Sequence, residues 1–179
     1  MPIVPTGLSL DPELSWNPLT LASGRRHDQA TWAISWLLGL VMALLLGWPT
    51  GLTAGLAFLV GGLWLSPDLD TRSRPSQRWG WLSGLWWPYR RLVRHRGWLS
   101  HTPLLGSASR LLLLLGWLLL ALVGLQAIGG PGPNWALQQL QQLWQGHPRL
   151  LITALLAIEA SAWLHLLQDG DPMPPPLRR

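Results

Sequence analysis

The chain has 179 residues, of which 49% are hydrophobic and only 12% are charged, well below the roughly 25% that is common in soluble domains. This composition argues against an ordinary soluble domain and indicates a membrane protein. The net charge of +5 comes from arginine alone, because the sequence contains no lysine. It also contains no cysteine, which excludes disulfides and thiolate metal ligands, so that any metal ion must be held by His, Asp or Glu.

The two ends of the chain differ in composition from its middle. Residues 1–24 hold prolines and two acids but no basic residue, whereas a signal peptide begins with a positive region before its apolar core. We therefore expect a flexible, uncleaved N-terminal extension over residues 1–24. A proline-rich tail is predicted over residues 171–179, and a single four-helix membrane domain over residues 25–170.

Four apolar segments lie in this middle region: Ala30–Trp48, Gly51–Ser66, Pro103–Ile128 and Leu150–Leu167. A membrane-spanning helix needs about 20 residues, so the first and third segments qualify easily. The second is short and glycine-rich, and the fourth contains Glu159, so buried or re-entrant helices are the alternative for these two. If all four segments span, the fold is all-α, an integral membrane four-helix bundle with an interfacial, Arg- and Trp-rich helical connection at residues 67–102.

The links between the segments refine this picture. Pro49-Thr50 predicts a tight turn, which makes a hairpin of the first two segments. The glycines Gly55, Gly61 and Gly62 would let helices approach closely. Residues 129–148 combine a Pro/Gly turn with an amphipathic stretch that we expect to lie at the membrane face opposite the long connection.

The distribution of arginine predicts the orientation in the membrane. Eleven arginines fall on the side that carries both termini and the long connection: Arg25, Arg26, Arg72, Arg74, Arg78, Arg90, Arg91, Arg94, Arg96, Arg178 and Arg179. On the other side there is Arg149. Because positive residues favour the cytoplasmic side, both termini are expected in the cytoplasm, in a bacterial inner membrane or its thylakoid equivalent.

Eight further ionisable residues from all four segments fall at this same face: His27, Asp28, Asp68, Asp70, His95, His101, His165 and Asp169. Helix bundles build metal sites in this way, from side chains on facing helices. Asp68 and Asp70 would share one side if the chain is extended there. His165 and Asp169 are four residues apart and would share one helical face.

This set predicts a centre for one or two divalent metal ions. Mixed His and Asp ligation without thiolate suits Zn²⁺, Mn²⁺ or Fe²⁺, and two-metal sites clamp the oxygens of a phosphoryl displacement. Each residue also has a structural interpretation. The aspartates at 68 and 70 could flank a helix end, His165 and Asp169 could form a hydrogen-bonded pair, and Asp28 could be a first-turn acid favoured by the helix dipole. His27 and His101 could be ordinary interfacial histidines.

The connection itself combines arginine with aromatic residues, namely Trp79, Trp81, Trp86, Trp87, Tyr89 and Trp98. These aromatics are typical interface anchors, and the element could serve as an anchor alone. Alternatively Arg90, Arg91, Arg94 and Arg96 also hold an anionic or phosphorylated substrate beside the metal. His95, between two of these arginines, either joins the metal site or binds phosphate or lipid headgroups. Membrane lipids are the expected partners and nucleic acid is not; the oligomeric state stays open.

Five motifs occur in order along the chain: Gly24-Arg25-x-His27-Asp28, Pro67-Asp68-x-Asp70, Arg78-Trp79-Gly80-Trp81, Tyr89-Arg90 to His95-Arg96, and Leu99-Ser100-His101 with a following proline. Over roughly residues 23–170 this set resembles a family of small bacterial, largely cyanobacterial, membrane proteins described as uncharacterised metal-binding proteins. That family is distantly similar to YdjM-type membrane-bound metal-dependent hydrolases. The resemblance implies metal binding at six positions and supplies no substrate; the positions are His27, Asp68, Asp70, His101, His165 and Asp169.

The predicted function is metal-dependent hydrolysis of a phosphorylated or ester-linked lipid at the cytoplasmic interface. Asp28 or Asp70 would act as general base, and Arg94 or Arg96 would stabilise the developing charge. The rival prediction is a non-catalytic metal-binding membrane protein for assembly, metal handling or lipid organisation. Glu159, inside an apolar segment, is expected to have a partner, and Arg110 is one hypothesis.

Overall fold

A computed structural model describes residues 24–170 of the chain, and all regular secondary structure in this part is helical. Its seven α-helices are α1 (Gly24–Leu46), α2 (Trp48–Trp64), α3 (Arg74–Arg78), α4 (Trp87–Leu92), α5 (Leu105–Ala127), α6 (Pro133–Gly146) and α7 (Pro148–Gln168). Two 3₁₀ helices, Pro67–Asp70 and Gly80–Trp86, lie within the long connection. The predicted all-α class is confirmed for the described residues. Nearly all of the predicted N-terminal extension and the whole proline-rich tail lie outside residues 24–170.

All four predicted apolar segments form helices. By length and composition the stretches Gly24–Leu46, Trp48–Asp70, Leu105–Ala127 and Pro148–Gln168 are sufficient to cross a membrane. The second stretch is longer than the predicted segment, because α2 begins at Trp48 and the 3₁₀ helix Pro67–Asp70 follows α2. The predicted amphipathic stretch after the third segment contains α6.

The turn between α1 and α2 lies at Gly47, two residues before the predicted turn at Pro49-Thr50. Gly47, with φ of 91°, breaks the helix, and Pro49 already lies in the first turn of α2. Proline is accommodated there because the first helical residues have no intrahelical partner for their N–H groups. The left-handed backbone at Gly47 requires a residue without a side chain.

Glycines set the packing distance of α2, which lies between α1 and α7. A Cβ atom on Gly61 would stand 2.2 Å from Ser161 Oγ of α7, and one on Gly62 would stand 2.5 Å from Thr31 Cγ2 of α1. Small residues at such contacts allow two helix backbones to come close, as the sequence predicted. The start of α1, the end of α2 and the end of α7 therefore lie close together at one end of the bundle.

The long connection folds over that end of the bundle. Arg78 and the Trp79 indole each donate a hydrogen bond of 2.9 Å to the last carbonyls of α2, at Leu63 and Trp64. These bonds satisfy acceptors that a helix end otherwise leaves unpaired. The connection is thereby fixed to the end of α2 rather than lying apart from the bundle.

The aromatic residues of the connection divide into buried and exposed sets. Trp86 and Tyr89 pack with Leu65 and Leu69 in a buried core, so the predicted role as interface anchors is wrong for these two. Burying large aromatic side chains stabilises a fold, and here Trp86 and Tyr89 cover apolar residues that follow α2. Trp81, by contrast, is 90% exposed and remains available as an anchor.

Candidate metal centre

The predicted site residues lie at helix ends and in the connecting loops, at one end of the bundle. His27 lies in the first turns of α1, and Asp68 and Asp70 lie on the 3₁₀ turn after α2. His101 belongs to the loop before α5, while His165 is in the last turn of α7. Asp169 is the residue that ends α7, and His95 lies in the connection after α4.

The first part of the cluster is centred on Asp169. Its Oδ1 lies 3.1 Å from His27 Nε2, and its Oδ2 lies 3.4 Å from His165 Nε2, the i,i+4 contact that the sequence predicted. Asp68 Oδ2 lies 3.5 Å from the same His165 nitrogen. The rings of His27 and His165 are in contact, with centroids 4.4 Å apart. Four residues from α1, α7 and the 3₁₀ turn thus converge on one small volume.

The second part is centred on His101. Its Nε2 lies 3.8 Å from Asp68 Oδ1, and its Nδ1 lies 3.6 Å from Asp70 Oδ2. The other oxygen of Asp70 is 3.0 Å from His95 Nδ1. Four histidines and three aspartates therefore alternate from His27 at one end to His95 at the other, and all seven predicted metal ligands belong to this cluster.

The two aspartates of the Pro67–Asp70 turn do not share one side, as the sequence had predicted for an extended chain. In a 3₁₀ helix there are 3.0 residues per turn, so side chains two positions apart are separated by about 120° around the axis. Pro67 and the Ser66 hydroxyl, which accepts a bond from the Asp68 amide, start this turn. Asp68 and Asp70 consequently reach opposite nitrogens of His101.

The loop that carries His101 is held by side chains that the sequence did not assign to the site. Arg110, which is 1% exposed, donates to the Ser100 carbonyl at 3.0 Å and to Ser107 Oγ at 3.2 Å. Tyr89 and Ser109 donate to the Leu99 carbonyl at 2.7 and 2.6 Å. The signal in the sequence was a lone arginine within an apolar segment, which is costly unless it has several partners.

Three buried imidazole nitrogens in the cluster have no hydrogen-bond partner among the described residues; one is His27 Nδ1, and the other two face carboxylates. These two are His101 Nε2 and His165 Nε2, in side chains that are 1% and 7% exposed. Leaving a buried polar atom unpaired costs about 1–3 kcal/mol, so its retention calls for a ligand. Both nitrogens face carboxylates at the distances given above, which is the donor set that divalent metal ions bind.

The spacing of the donor atoms also fits a metal ion. With bonds of about 2.0–2.2 Å and tetrahedral angles, neighbouring ligand atoms lie about 3.3–3.6 Å apart. The nitrogen–oxygen separations around Asp169 and Asp68 range from 3.1 to 3.8 Å. Groups of three His and Asp ligand atoms within reach of one ion occur along the cluster. The residues present therefore fit a divalent ion.

The protonation states outside the apolar spans also suit a metal ion. Burial lowers the pKa of His101, although Asp70 and Asp68 oppose this shift, so the imidazole is neutral at physiological pH. Burial alone would raise the pKa of Asp169, but the nearby imidazoles of His165 and His27 hold it well below its usual range. Neutral imidazole and ionised carboxylate are the forms that bind metal.

Other predicted site residues have different surroundings. Asp28 forms ion pairs with Arg78 and with Arg74, the latter at 3.6 Å, so its carboxylate is directed to the connection and not to the cluster. Arg90 donates to Ser76 Oγ at 2.8 Å and to the Ser83 carbonyl at 2.9 Å, which makes it a brace within the connection. The predicted catalytic role of Asp28 and phosphate-binding role of Arg90 stay predictions. The remaining three predicted phosphate ligands, Arg91, Arg94 and Arg96, are exposed.

Glu159 has a partner other than the one that the sequence suggested. Its Oε1 accepts a hydrogen bond of 2.8 Å from the backbone amide of Leu104, the residue that precedes α5. An anionic group at a helix N-terminus is stabilised by the helix dipole and satisfies an otherwise unpaired N–H. Among the described residues Arg110 forms no ion pair with Glu159, because its guanidinium is directed to the loop at Ser100.

The chain is similar in sequence to known proteins. A relative from Aquifex aeolicus (strain VF5), described as an uncharacterized protein, is 48% identical over 58 residues, which cover 32% of this chain and 40% of the relative. The chain thus spans less than half of that relative's length. No solved structure matches the chain. The similarity to YdjM-type hydrolases and the cyanobacterial origin stay predictions. Residues 22–175 match the family described as "Uncharacterized metal-binding protein (DUF2227)", and because this match covers most of the chain, the protein belongs to that family.

Proposed function

We propose that this protein is a membrane-embedded, metal-dependent hydrolase that acts on a phosphorylated or ester-linked lipid at the cytoplasmic interface. The observation that carries the proposal is the His/Asp cluster at one end of four apolar helices, in which the buried Nε2 atoms of His101 and His165 have no partner among the described residues. In the expected orientation this end faces the cytoplasm, because the start of α1 and the long connection, which lie at this end, carry nine arginines.

The apolar surface supports embedding in a membrane. Large side chains on the outer faces of the helices are exposed in the isolated chain, for example Trp36 at 73%, Leu44 at 77% and Leu112 at 64%. Soluble proteins rarely expose contiguous apolar surface on this scale. Lipid tails would cover these residues, and helices satisfy their own backbone groups within a bilayer.

The chemistry follows from what the cluster would hold. A divalent ion such as Zn²⁺, Mn²⁺ or Fe²⁺ supplies an activated water and polarises a phosphoryl or carbonyl oxygen. The residues that would hold it are His27, His101, His165, Asp68 and Asp169. Asp68 has a side chain that is 32% exposed, so the cluster opens to solvent at this residue. An open position is the mark of a catalytic rather than a purely structural metal site.

Exposed arginines supply a reason to expect an anionic substrate. Arg94 and Arg96 flank His95, whose side chain is 51% exposed and contacts Asp70 of the cluster. Guanidinium groups bind phosphate through paired hydrogen bonds and would draw a phosphorylated headgroup towards the cluster. A lipid substrate would keep its tails beside the exposed apolar helices while its headgroup reaches this end.

A non-catalytic metal-binding role is the second candidate. It is favoured by the burial of His101 and His165, because structural metal sites are commonly closed. In that case the ion would join four separate parts of the chain and hold the end of the bundle together.

The two candidates are separated by an assay for hydrolysis. The full chain is purified, reconstituted in vesicles that contain phosphatidic acid or a neutral ester lipid, and assayed for released phosphate or fatty acid with added metal. We expect release that is abolished by chelator and by His101→Ala, and that is retained in His147→Ala, a histidine control in the linker between α6 and α7. Metal binding without release from any of these lipids would favour the non-catalytic role.

The arginines are tested in the same assay. Arg94→Ala and Arg96→Ala are expected to raise KM for a phosphorylated lipid while leaving the turnover of a neutral ester less affected. Arg149→Ala serves as the matched control, because this residue lies in the first turn of α7, at the opposite end from His165. An equal effect of all three substitutions would contradict the proposed headgroup contact.

A further inference from the structure

The imidazole of His101 separates two aspartates of the cluster. Its Nε2 faces Asp68 Oδ1 at 3.8 Å, and its Nδ1 faces Asp70 Oδ2 at 3.6 Å. The two nitrogens of an imidazole direct their bonds away from each other, so a single ion cannot bind both of them. The cluster must therefore be divided at His101 into a side that meets Asp68 and a side that meets Asp70.

The hydrogen bonds around Ser100 indicate where the proton of His101 resides. The Ser100 hydroxyl lies within donating distance of the carbonyls of Arg94, at 3.1 Å, and Gly97, at 3.3 Å. A hydroxyl has one proton to donate, so towards His101 Nδ1, 3.0 Å away, it acts as acceptor. The Asp70 carboxylate on the same side is also an acceptor. Both neighbours favour a proton on Nδ1, which leaves the lone pair on Nε2.

We infer that the cluster holds one metal ion, bound on the Nε2 side of His101, and that Asp70 and His95 lie outside its coordination sphere, with Asp70 acting as a positioning residue for His101. The inner set is then His27, His101, His165, Asp68 and Asp169. The inference concerns the ligands of the proposed metal centre and does not depend on hydrolysis. It also differs from the expectation that Asp70 and His95 are themselves ligands.

Three observations make the inner set coherent. His27, His101 and His165 each direct Nε2, and not Nδ1, towards Asp68 or Asp169. Of the three buried imidazole nitrogens without a partner among the described residues, those of His101 and His165 are Nε2 atoms that face this side, and the third is His27 Nδ1. The 3₁₀ turn explains the division, because it sends Asp68 and Asp70 to opposite sides of one ring.

Asp70 has the surroundings of an outer carboxylate. Its side chain is 0% exposed, and it lies between the Nδ1 atoms of His101 and His95. The Asp70 Oδ2 atom, 3.6 Å from His101 Nδ1, forms no hydrogen bond among the described residues, so it acts on the ring through its charge. A carboxylate beside the far nitrogen of a ligating histidine favours the proton there and makes the ligand more basic. His95 then donates Nδ1–H to Asp70 at 3.0 Å and keeps its own Nε2 for the solvent.

Metal stoichiometry distinguishes one ion from two. The full-length protein in detergent is stripped of metal and titrated with Co²⁺, with bound metal measured by elemental analysis and the ligand set by the visible spectrum of Co²⁺. The wild type should bind one ion per chain. His95→Ala should bind one ion with the same Kd and spectrum, whereas His165→Ala should lose the ion. His147→Ala is the matched histidine control and should resemble the wild type.

Asp70 is tested by a graded pair of substitutions. Asp70→Ala should still bind one ion but with a Kd weakened about 10–100-fold, the usual effect of removing an outer partner. Asp70→Asn should lose less affinity than Asp70→Ala, because its amide oxygen keeps a negative partial charge facing His101 Nδ1 and fills the same space. Unfolding temperatures of the metal-free variants separate this effect from a general loss of structure, since a positioning role lowers metal affinity beyond what the metal-free stability predicts.

Several results would overturn the inference. These are two ions in the wild type that fall to one in His95→Ala, a changed Co²⁺ spectrum in His95→Ala, or an unchanged Kd in both Asp70 variants. If Asp70→Ala does not fold, Asp70→Asn and His95→Ala still decide the question. A protein that binds one ion as described but hydrolyses no lipid would leave the inference standing and would remove only the proposed hydrolysis.

Discussion

Removing the metal ion should lower the unfolding temperature of the protein by several degrees. Without an ion, His101 Nε2 and His165 Nε2 are buried and unpartnered. An ion that binds the folded chain alone stabilises it by about 2.7 kcal/mol when its free concentration is 100 times Kd. For chains of about 150–250 residues each kcal/mol shifts Tm by about 2–4 °C, so we expect chelation to lower Tm by about 5–10 °C.

The measurement is a thermal unfolding curve in detergent at saturating metal, repeated with excess chelator. Asp68→Ala provides the control, because Asp68 contacts both His165 and His101 and its loss should remove the response to metal. This variant should unfold at a lower temperature with or without chelator. A wild type whose Tm is the same in both conditions, or an Asp68→Ala variant that responds fully, would refute the assignment of the cluster as the metal centre.

Three further predictions concern the scaffold. Gly61→Ala should destabilise the protein by about 1–3 kcal/mol, because the new Cβ would stand 2.2 Å from Ser161 Oγ, while Gly116→Ala, which meets nothing within 4 Å, should be neutral or slightly stabilising in the same unfolding assay. Arg110→Met should cost at least about 1.5 kcal/mol and weaken Co²⁺ binding, because Ser100 loses the bond that fixes the His101 loop; unchanged Co²⁺ affinity would contradict this. Alkaline carbonate should leave the protein in the membrane pellet, and release into the supernatant would argue against spanning helices.

Much of the architecture was predictable because helices long and apolar enough to cross a membrane can be recognised from length and composition. Long apolar runs indicated α1 and α5 directly, and the glycines at 61 and 62 indicated the close packing of α2. The convergence of histidine and aspartate followed from placing each helix end on a common side. The spacing of His165 and Asp169 predicted their contact, because an α-helix fixes the relation of residues four apart.

What the sequence did not predict depends on irregular backbone and on contacts between distant parts of the chain. The pattern Asp68-x-Asp70 has no fixed meaning until the conformation is known, and a 3₁₀ turn reverses the outcome expected for an extended strand. The pairing of Asp28 with Arg78 joins residues 50 positions apart. The use of Glu159 to cap the amide of Leu104 depends equally on the tertiary arrangement of α5 and α7.

The uneven exposure of the cluster bears on the choice between a catalytic and a structural centre. Within the proposed inner set the His101 side chain is 1% exposed, whereas that of Asp68 is 32% exposed. A centre that serves only to join helices gains nothing from an exposed ligand, because exposure lets water compete for the ion. Asp68 contacts both buried histidines, so an anion that arrives beside it would reach the ion without displacing either imidazole. A metal-loaded structure in which Asp68 becomes covered and the coordination is closed by protein atoms would favour the structural role.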